Sequence, residues 1–292
     1  DDYAVFLLDT GEVIIYQGSD PGDATNWSLV GKYMIPVPCG IRCAVKFGGD
    51  VVVATESDMI SLLDVMKKGT EGQGLVLEPS KLAGAMTDAF RLYNSNYGWQ
   101  VQVYGAGRWM FCNVPIVNGS TFHQYVVNTT TGAATRFTGM NARSWVVWER
   151  NLYFGGNGTV YKADSGEDDN GADIALVAKQ ASSMLGTPQD KRFYTCEFYL
   201  SSDGTIDVGA SFARDYANVN TPVTISSSNS GAEWDVAEWD VAEWAGAGTV
   251  RVLRFGVVGT GIAVSHKMAI NIQGQRVQWY KTSYGFEVLT KR

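Results

Sequence analysis

The feature that most constrains this chain is a succession of short apolar runs separated by glycine-centred turns. Tyr3–Leu8 and Glu12–Tyr16 flank Asp9-Thr10-Gly11, and Cys43–Phe47 and Val51–Thr55 flank Gly48-Gly49-Asp50. Trp99–Tyr104 and Trp109–Val114 flank Gly105-Ala106-Gly107. Each run is short, and each turn supplies residues that accept positive φ, so each unit reads as a β-hairpin. Trp27–Met34 follows the loop residues Gly18–Asp23. Phe122–Asn128, Ala134–Phe137, Trp145–Trp148, Leu152–Phe154 and Thr159–Lys162 continue the series. Many short strands at regular spacing close as a sandwich, a barrel or a propeller. The recurring phrase is a hairpin, a polar turn, then a strand with Trp or Phe near its end. Val13–Gln17 before Trp27 and Tyr125–Asn128 before Phe137 are two instances. Units of about 40 residues suit propeller blades.

Helix signals are confined to one window. Ile60–Lys68 reads as one short helix. Ser80–Tyr93 reads as a second, with Leu82, Met86, Ala89, Phe90 and Tyr93 near helical spacing and Ser80 as N-cap. The polar run Asp164–Gly171 marks a domain boundary. Beyond it come Ile174–Lys179, Lys191–Leu200, Ile206–Arg214, a Ser-rich stretch (Thr221–Ser230), then Val250–Val258, His266–Ile272 and Gln275–Tyr284. The expected fold class is all-β with few short helices. A β-propeller-like domain over residues 1–170 carries the helical insertion at about 60–93. An antiparallel β-sandwich-like module over 171–292 contains a Trp repeat at 232–244.

With 45% hydrophobic and 18% charged residues, the chain is globular. The net charge of −7 argues against a surface that grips nucleic acid, because phosphate contacts need Lys and Arg. It leaves open a channel through which DNA slides. No apolar run reaches membrane-spanning length. The chain opens on Asp1-Asp2 and enters a strand at once, which suggests a processed product or the ordered part of a longer polypeptide. Of the four cysteines, Cys39 and Cys43 are close in sequence, while Cys112 and Cys196 are remote. No second close pair completes a zinc site, so buried free thiols are expected.

The chemistry-bearing residues are sparse. His123 and His266 are the two histidines, and they fall in different expected modules without a Gly-x-Ser-x-Gly elbow. Asp164, Asp168, Asp169 and Asn170 precede Gly171 but lack the alternating register of a calcium loop, so they read as a solvated turn. Gly105–Gly107 and Gly155–Gly158 do not open a helix, which removes the phosphate-cradle reading. The expectation is no catalytic residue, no metal and no cofactor.

One motif stands apart. Ala-Glu-Trp-Asp-Val occurs at 232–236 and again at 237–241, with a partial copy at Ala242-Glu243-Trp244. A period of five fits neither helix nor strand. The repeat strings Trp234, Trp239 and Trp244 between Glu233, Asp235, Glu238, Asp240 and Glu243. Acid–base catalysis needs two carboxylates in unlike environments, and a repeat supplies like ones. Tryptophan is enriched at binding hot spots, so the ribbon reads as a partner interface.

Tyr16–Trp27, Val126–Phe137, Leu152–Tyr161 and the Trp-Asp repeat together resemble tail virion proteins of short-tailed bacteriophages, the tail nozzle, tail tubular protein B-like or DNA-stabilisation proteins. The resemblance runs over most of the chain. It implies a propeller-bearing structural subunit with no catalytic residues. Such a subunit forms a homo-oligomeric ring, typically six-fold, in the virion tail below portal and adaptor, and is made in the bacterial host cytoplasm. It implies contacts with tail fibres or spikes, and DNA passing through the ring without sequence-specific binding. An acidic lumen would repel phosphates and let the genome slide. The alternative is a carbohydrate-binding or sialidase-like β-propeller with tryptophans as sugar platforms. A sialidase-like site needs converging arginines, and Arg42, Arg91, Arg108, Arg136 and Arg143 are scattered singly.

Replacing Trp234, Trp239 and Trp244 together by Ala is expected to leave the far-ultraviolet circular dichroism unchanged while weakening assembly measured by native mass. Unchanged assembly would sink the interface reading. Loss of folding would assign the ribbon to the chain's own core.

Overall fold

The computed structural model describes residues 3–68, 82–217, 222–227 and 250–289. The chain divides into two compact units, Asp1–Ser165 and Gly166–Arg292. The division falls inside the polar run Asp164–Gly171.

Antiparallel sheets follow one another along the first unit. Blade 1 is β1 (Tyr3–Leu7), β2 (Glu12–Gly18) and β3 (Trp27–Met34); blade 2 is β4 (Ala44–Phe47), β5 (Asp50–Ala54) and β6 (Met59–Ser61). Helices α1 (Leu62–Lys68) and α2 (Ala83–Tyr93) intervene. Blade 3 is β7 (Gln100–Tyr104), β8 (Trp109–Val117), β9 (Thr121–Asn128) and β10 (Ala134–Thr138); blade 4 is β11 (Ser144–Trp148), β12 (Asn151–Gly156) and β13 (Thr159–Ala163). The first strands of blades 2, 3 and 4 are neighbours, β4 beside β7 and β7 beside β11. A parallel bridge joins Arg42 to Gln100, with the Val101 amide donating to the Arg42 carbonyl at 2.9 Å. Sheets arranged around such a shared inner line are propeller-like blades.

The turns explain the hairpins. Gly11 ends the first turn at φ 88°, and a Cβ there would strike the Ile35 carbonyl oxygen at 2.1 Å. The twofold alternation of β8 then builds two cores. Met110, Cys112 and Val114 face one cluster with Val13 and Ile15 of blade 1, Val53 of blade 2 and Met86 of α2. Phe111 faces a second cluster with Val126, Trp145 and Leu152. Each such side chain contributes about 1.5–3 kcal/mol on burial.

The helices start later than the sequence suggests. Ile60 belongs to β6, paired with Val53 and fully buried, because a β-branched side chain packs well on a sheet. The helix proper begins after Ser61, whose Oγ accepts the Asp64 amide at 3.1 Å as an N-cap. In α2 the N-cap is Leu82, which makes no side-chain capping bond; the expected cap, Ser80, lies outside the described residues. Met86 and Ala89 form its buried stripe.

The second unit is a sandwich of β14 (Ile174–Lys179), β15 (Lys191–Ser202), β16 (Ile206–Arg214), β17 (Val223–Ser227), β18 (Val250–Gly261), β19 (Val264–Ile272) and β20 (Val277–Val288). One sheet has the order β14-β19-β16-β17 and the other β18-β15-β20. Phe198, Leu200 and Phe255 from the second meet Val208, Met268 and Ile270 from the first. The Ser-rich stretch contributes β17, where pairing of Val208 with Ile225 along β16 overrides weak local propensity.

Lys191 opens β15 and is fully buried. Its ammonium donates to the carbonyls of Thr187 at 2.5 Å, Gln189 at 2.9 Å and Ile262 at 2.9 Å, which uses all three donors. It pins the loop before β15 to the β18–β19 turn. Lys191→Met is expected to orphan these carbonyls and to lower unfolding free energy in urea by about 1–3 kcal/mol or more. The exposed Lys267→Met serves as a near-neutral control.

Candidate functional site

The Trp repeat, including Glu233, Trp234, Asp235, Glu238, Trp239, Asp240, Glu243 and Trp244, lies outside the described residues. The other candidates are placed separately. His123 sits in β9 opposite Val114 and Thr138, while His266 is buried in β19 of the other unit. Desolvation and the Arg136 guanidinium lower the pKa of His123. Asp168 accepts the Gly171 amide at 2.9 Å and closes a local turn. No group of three or more His, Cys, Asp or Glu among the described residues is placed to hold a metal ion. No helix among them is long and apolar enough to cross a membrane.

The four thiols are free and buried. Cys112, remote in sequence, enters the same core as Cys39 and Cys43. Burial pushes all of these thiols up, and Cys196 in the other unit is pushed up to about 12. Protonated thiols are neither good nucleophiles nor ready metal ligands.

Two arginines do approach. Arg42 donates from Nη2 to the Arg143 carbonyl at 2.9 Å and lies 5.4 Å from the centre of the Tyr97 ring. Arg143 donates from Nε to the Gly119 carbonyl at 2.9 Å. Both guanidiniums fasten the backbone. Arg91 pairs with Asp88 on the exposed side of α2.

Between blades 3 and 4 lies a buried amide network. Asn113 donates to the carbonyls of Gly98 at 2.9 Å and Ala142 at 3.0 Å. Its Oδ1 accepts Gln124 Nε2 at 2.9 Å and the Trp145 indole N–H at 3.0 Å. Gln100 brackets the Trp145 backbone, donating to its carbonyl at 2.8 Å and accepting its amide at 2.9 Å. Gln124 also donates to the Met140 carbonyl, and its own Oε1 is buried without a protein partner. An apolar cavity of 60 Å3, lined by Phe111, Gln124, Phe137 and Trp145, adjoins the seam. It is small beside an ordinary ligand pocket.

The second unit carries a chain of hydrogen bonds in its core. Tyr284 donates to Gln180 Oε1 at 2.8 Å, so its oxygen accepts from His266 Nδ1–H. His266 Nε2 is then the acceptor for Thr282 Oγ1 at 3.3 Å. Packed among Phe198 and Trp279, the imidazole is held neutral, its pKa lowered to about 4 by desolvation. The Tyr284 hydroxyl is pushed up by burial. This is a satisfied core, closed to a substrate.

The surfaces that stand out are the outer faces of the end blades. Residues directly opposite across a ladder share a face. In blade 1, Phe6 lies opposite Ile14, Tyr16 opposite Leu29, and Glu12 opposite Met34. Phe6 is 52% exposed, Leu29 48% and Met34 57%. Tyr16 stacks on Trp27 at 5.5 Å across the same face. In blade 4, Val146 lies opposite Tyr153, and Tyr153 opposite Lys162. Trp148 on this face is 64% exposed and Val160 74%. The outward face of the sandwich's β18-β15-β20 sheet mixes an Arg254–Glu197 ion pair at 2.7 Å and Lys281 over the Tyr199 ring with exposed Val250 and Val252.

No family model and no curated protein matches the chain. Among solved structures, an exo-β-1,3-galactanase from Phanerochaete chrysosporium is similar at 8% identity and TM-score 0.30, over 92% of this chain and 75% of that one. A glycoside hydrolase family 43 arabinoxylan arabinofuranohydrolase from Bacillus subtilis is similar at 12% identity and TM-score 0.29, over 97% and 66%. A Bacillus thuringiensis Cry1Da tryptic core variant is similar at 10% identity and TM-score 0.24, over 98% and 51%. Likenesses this distant carry no argument about activity.

The His266 network generates a pH dependence. The imidazole ionises near 6.5 when unfolded and near 4 when folded, so the unfolded state binds the extra proton between those values. Its contribution is fully present above pH 6.5 and is lost toward pH 4, at about 1.4 kcal/mol per pH unit. His266→Gln is expected to be less stable at pH 7, and its deficit against the wild type should shrink as pH falls. Chemical denaturation at several pH values measures this; a constant deficit would contradict it.

Proposed function

We propose that this chain is a structural subunit of a short-tailed bacteriophage tail. It is a nozzle or tail-tube protein that assembles as a ring, six-fold in the family it resembles, and continues the DNA conduit below portal and adaptor. The observation that carries this reading is the pair of exposed apolar blade faces. Apolar patches of this kind on a globular protein mark contact with other protein. The thiols, His266 and the seam amides are meanwhile buried within the two units, and nothing among them is poised for turnover. In this reading the chain catalyses nothing and needs no cofactor.

The mechanism is electrostatic and mechanical. An acidic ring with a net charge of −7 per chain repels phosphates, so DNA passes without sticking. The acidic Trp ribbon at 232–244 contacts another subunit or a neighbouring tail component, including fibres or spikes. Its carboxylates steer it toward a basic surface.

A second reading, a carbohydrate-binding or sialidase-like propeller, is favoured by Trp148, exposed on a flat face beside Tyr153 as a sugar platform would be. One pair of measurements separates them. Native mass of the purified chain is expected to give six or twelve copies, and calorimetric titration with neutral and sialylated oligosaccharides is expected to give no heat of binding. A stable monomer that binds glycans would overturn the tail reading.

A further inference from the structure

We infer that the cavity between blades 3 and 4 is a binding site for an organic ammonium ion, its head held among aromatic rings between Gln124 and Asp164. The inference goes beyond the tail reading and does not depend on it.

The walls are aromatic. Trp109 and Phe111 of β8, Phe137 of β10 and Trp145 of β11 all line the cavity. Trp109 and Phe137 lie 5.4 Å apart with their planes at 80°, and Phe111 and Trp145 lie 4.9 Å apart at 72°. Rings set nearly at right angles wall a space on more than one side, and each ring face carries the negative end of a quadrupole. A cation within about 6 Å of such a face is attracted to it, more strongly where water is excluded. The cavity's 60 Å3 is several times the about 10–15 Å3 that one water needs. A lining this apolar holds water poorly, whereas it suits a compact alkyl group carrying a charge.

Two polar side chains interrupt that lining, Gln124 and Asp164. Gln124 is 1% exposed and spends its amide nitrogen on Asn113 and the Met140 carbonyl, so Oε1 is left buried without a protein partner. A buried acceptor left unmade is costly, and what satisfies it is an N–H or O–H donor. Asp164 is exposed where Phe111, Gln124 and Trp145 are buried, which marks the side on which the cavity meets solvent. It pairs with no Lys or Arg among the described residues. Burial and this carboxylate together push up the pKa of the Tyr104 hydroxyl, whose ring lies 5.6 Å from that of Trp109.

These groups select the ligand. A carboxylate and aromatic faces repel anions, and a neutral ligand makes no use of the charge on Asp164. A quaternary ammonium has no N–H to give Gln124 Oε1. A primary ammonium has three donors and a positive charge, so one head group meets the orphaned oxygen, the carboxylate and the rings. Its alkyl stem remains against the apolar lining. The same head occurs on free amines and on the lysine side chain.

The experiment titrates the full chain with propylammonium chloride, with 1-propanol as the uncharged isostere and with Nα-acetyl-lysine methylamide, at ionic strength balanced by sodium chloride. Calorimetry and tryptophan fluorescence are expected to show saturable binding of propylammonium and none of 1-propanol. Trp109→Leu and Phe137→Leu are each expected to weaken it about threefold to tenfold, as loss of a ring face does. Asp164→Asn keeps a residue that accepts the left-handed φ of 54° at this turn, so it leaves the fold intact, and it is expected to weaken binding about twofold to fivefold. Far-ultraviolet circular dichroism and the thermal midpoint check each variant. Binding of the lysine derivative as well extends the site to lysine side chains; binding of propylammonium alone confines it to free amines. No saturable binding, an equal response to 1-propanol, or binding that Asp164→Asn leaves unchanged overturns the inference.

Discussion

The seam between blades 3 and 4 depends on one buried side chain, Asn113. Its amide donates twice and its oxygen accepts twice, so every polar capacity is filled at zero exposure. The partners come from the segment before β7, from β9, from the segment before β11 and from β11 itself. Apolar packing alone would let two flat sheets slide; directional bonds fix one register between them. Gln100 adds to this by imitating a strand neighbour for the Trp145 backbone. With that seam fixed, Phe111, Trp145 and Phe154 stack in one order, and the cavity beside Gln124 stays small.

The two units solve the same problem differently. The sandwich covers its central apolar residues by laying one sheet on the other. Blades cannot do this singly, because a blade has two faces and each needs a neighbour. Blade 3 has both. The outward faces of blades 1 and 4 carry aromatic groups in the open.

Much of the fold was legible because its determinants are local. The Asn157-Gly158 turn of blade 4 has both residues at positive φ, as its sequence announces. The Glu149-Arg150 turn of the same blade adopts positive φ at both positions with residues that disfavour it. There the flanking strands, held by the Trp145 seam, impose the turn. β17 follows the same logic, drawn into a sheet by β16 despite its serines. Ile60 shows the same in reverse: next to a helical run in sequence, it is drawn into β6 by pairing with Val53.

The sequence by itself determined the rhythm of strand and turn, the hairpins, the helical window and the all-β class, because alternation and turn chemistry act within a few residues. Only the tertiary structure decided that Gln100, Asn113 and Gln124 form one network, that Cys112 joins Cys39 and Cys43, and that His266 is buried and neutral. Those facts depend on contacts between residues tens of positions apart. A strand's pattern says how many faces want a neighbour, and the packing of the whole unit says which neighbour each face has.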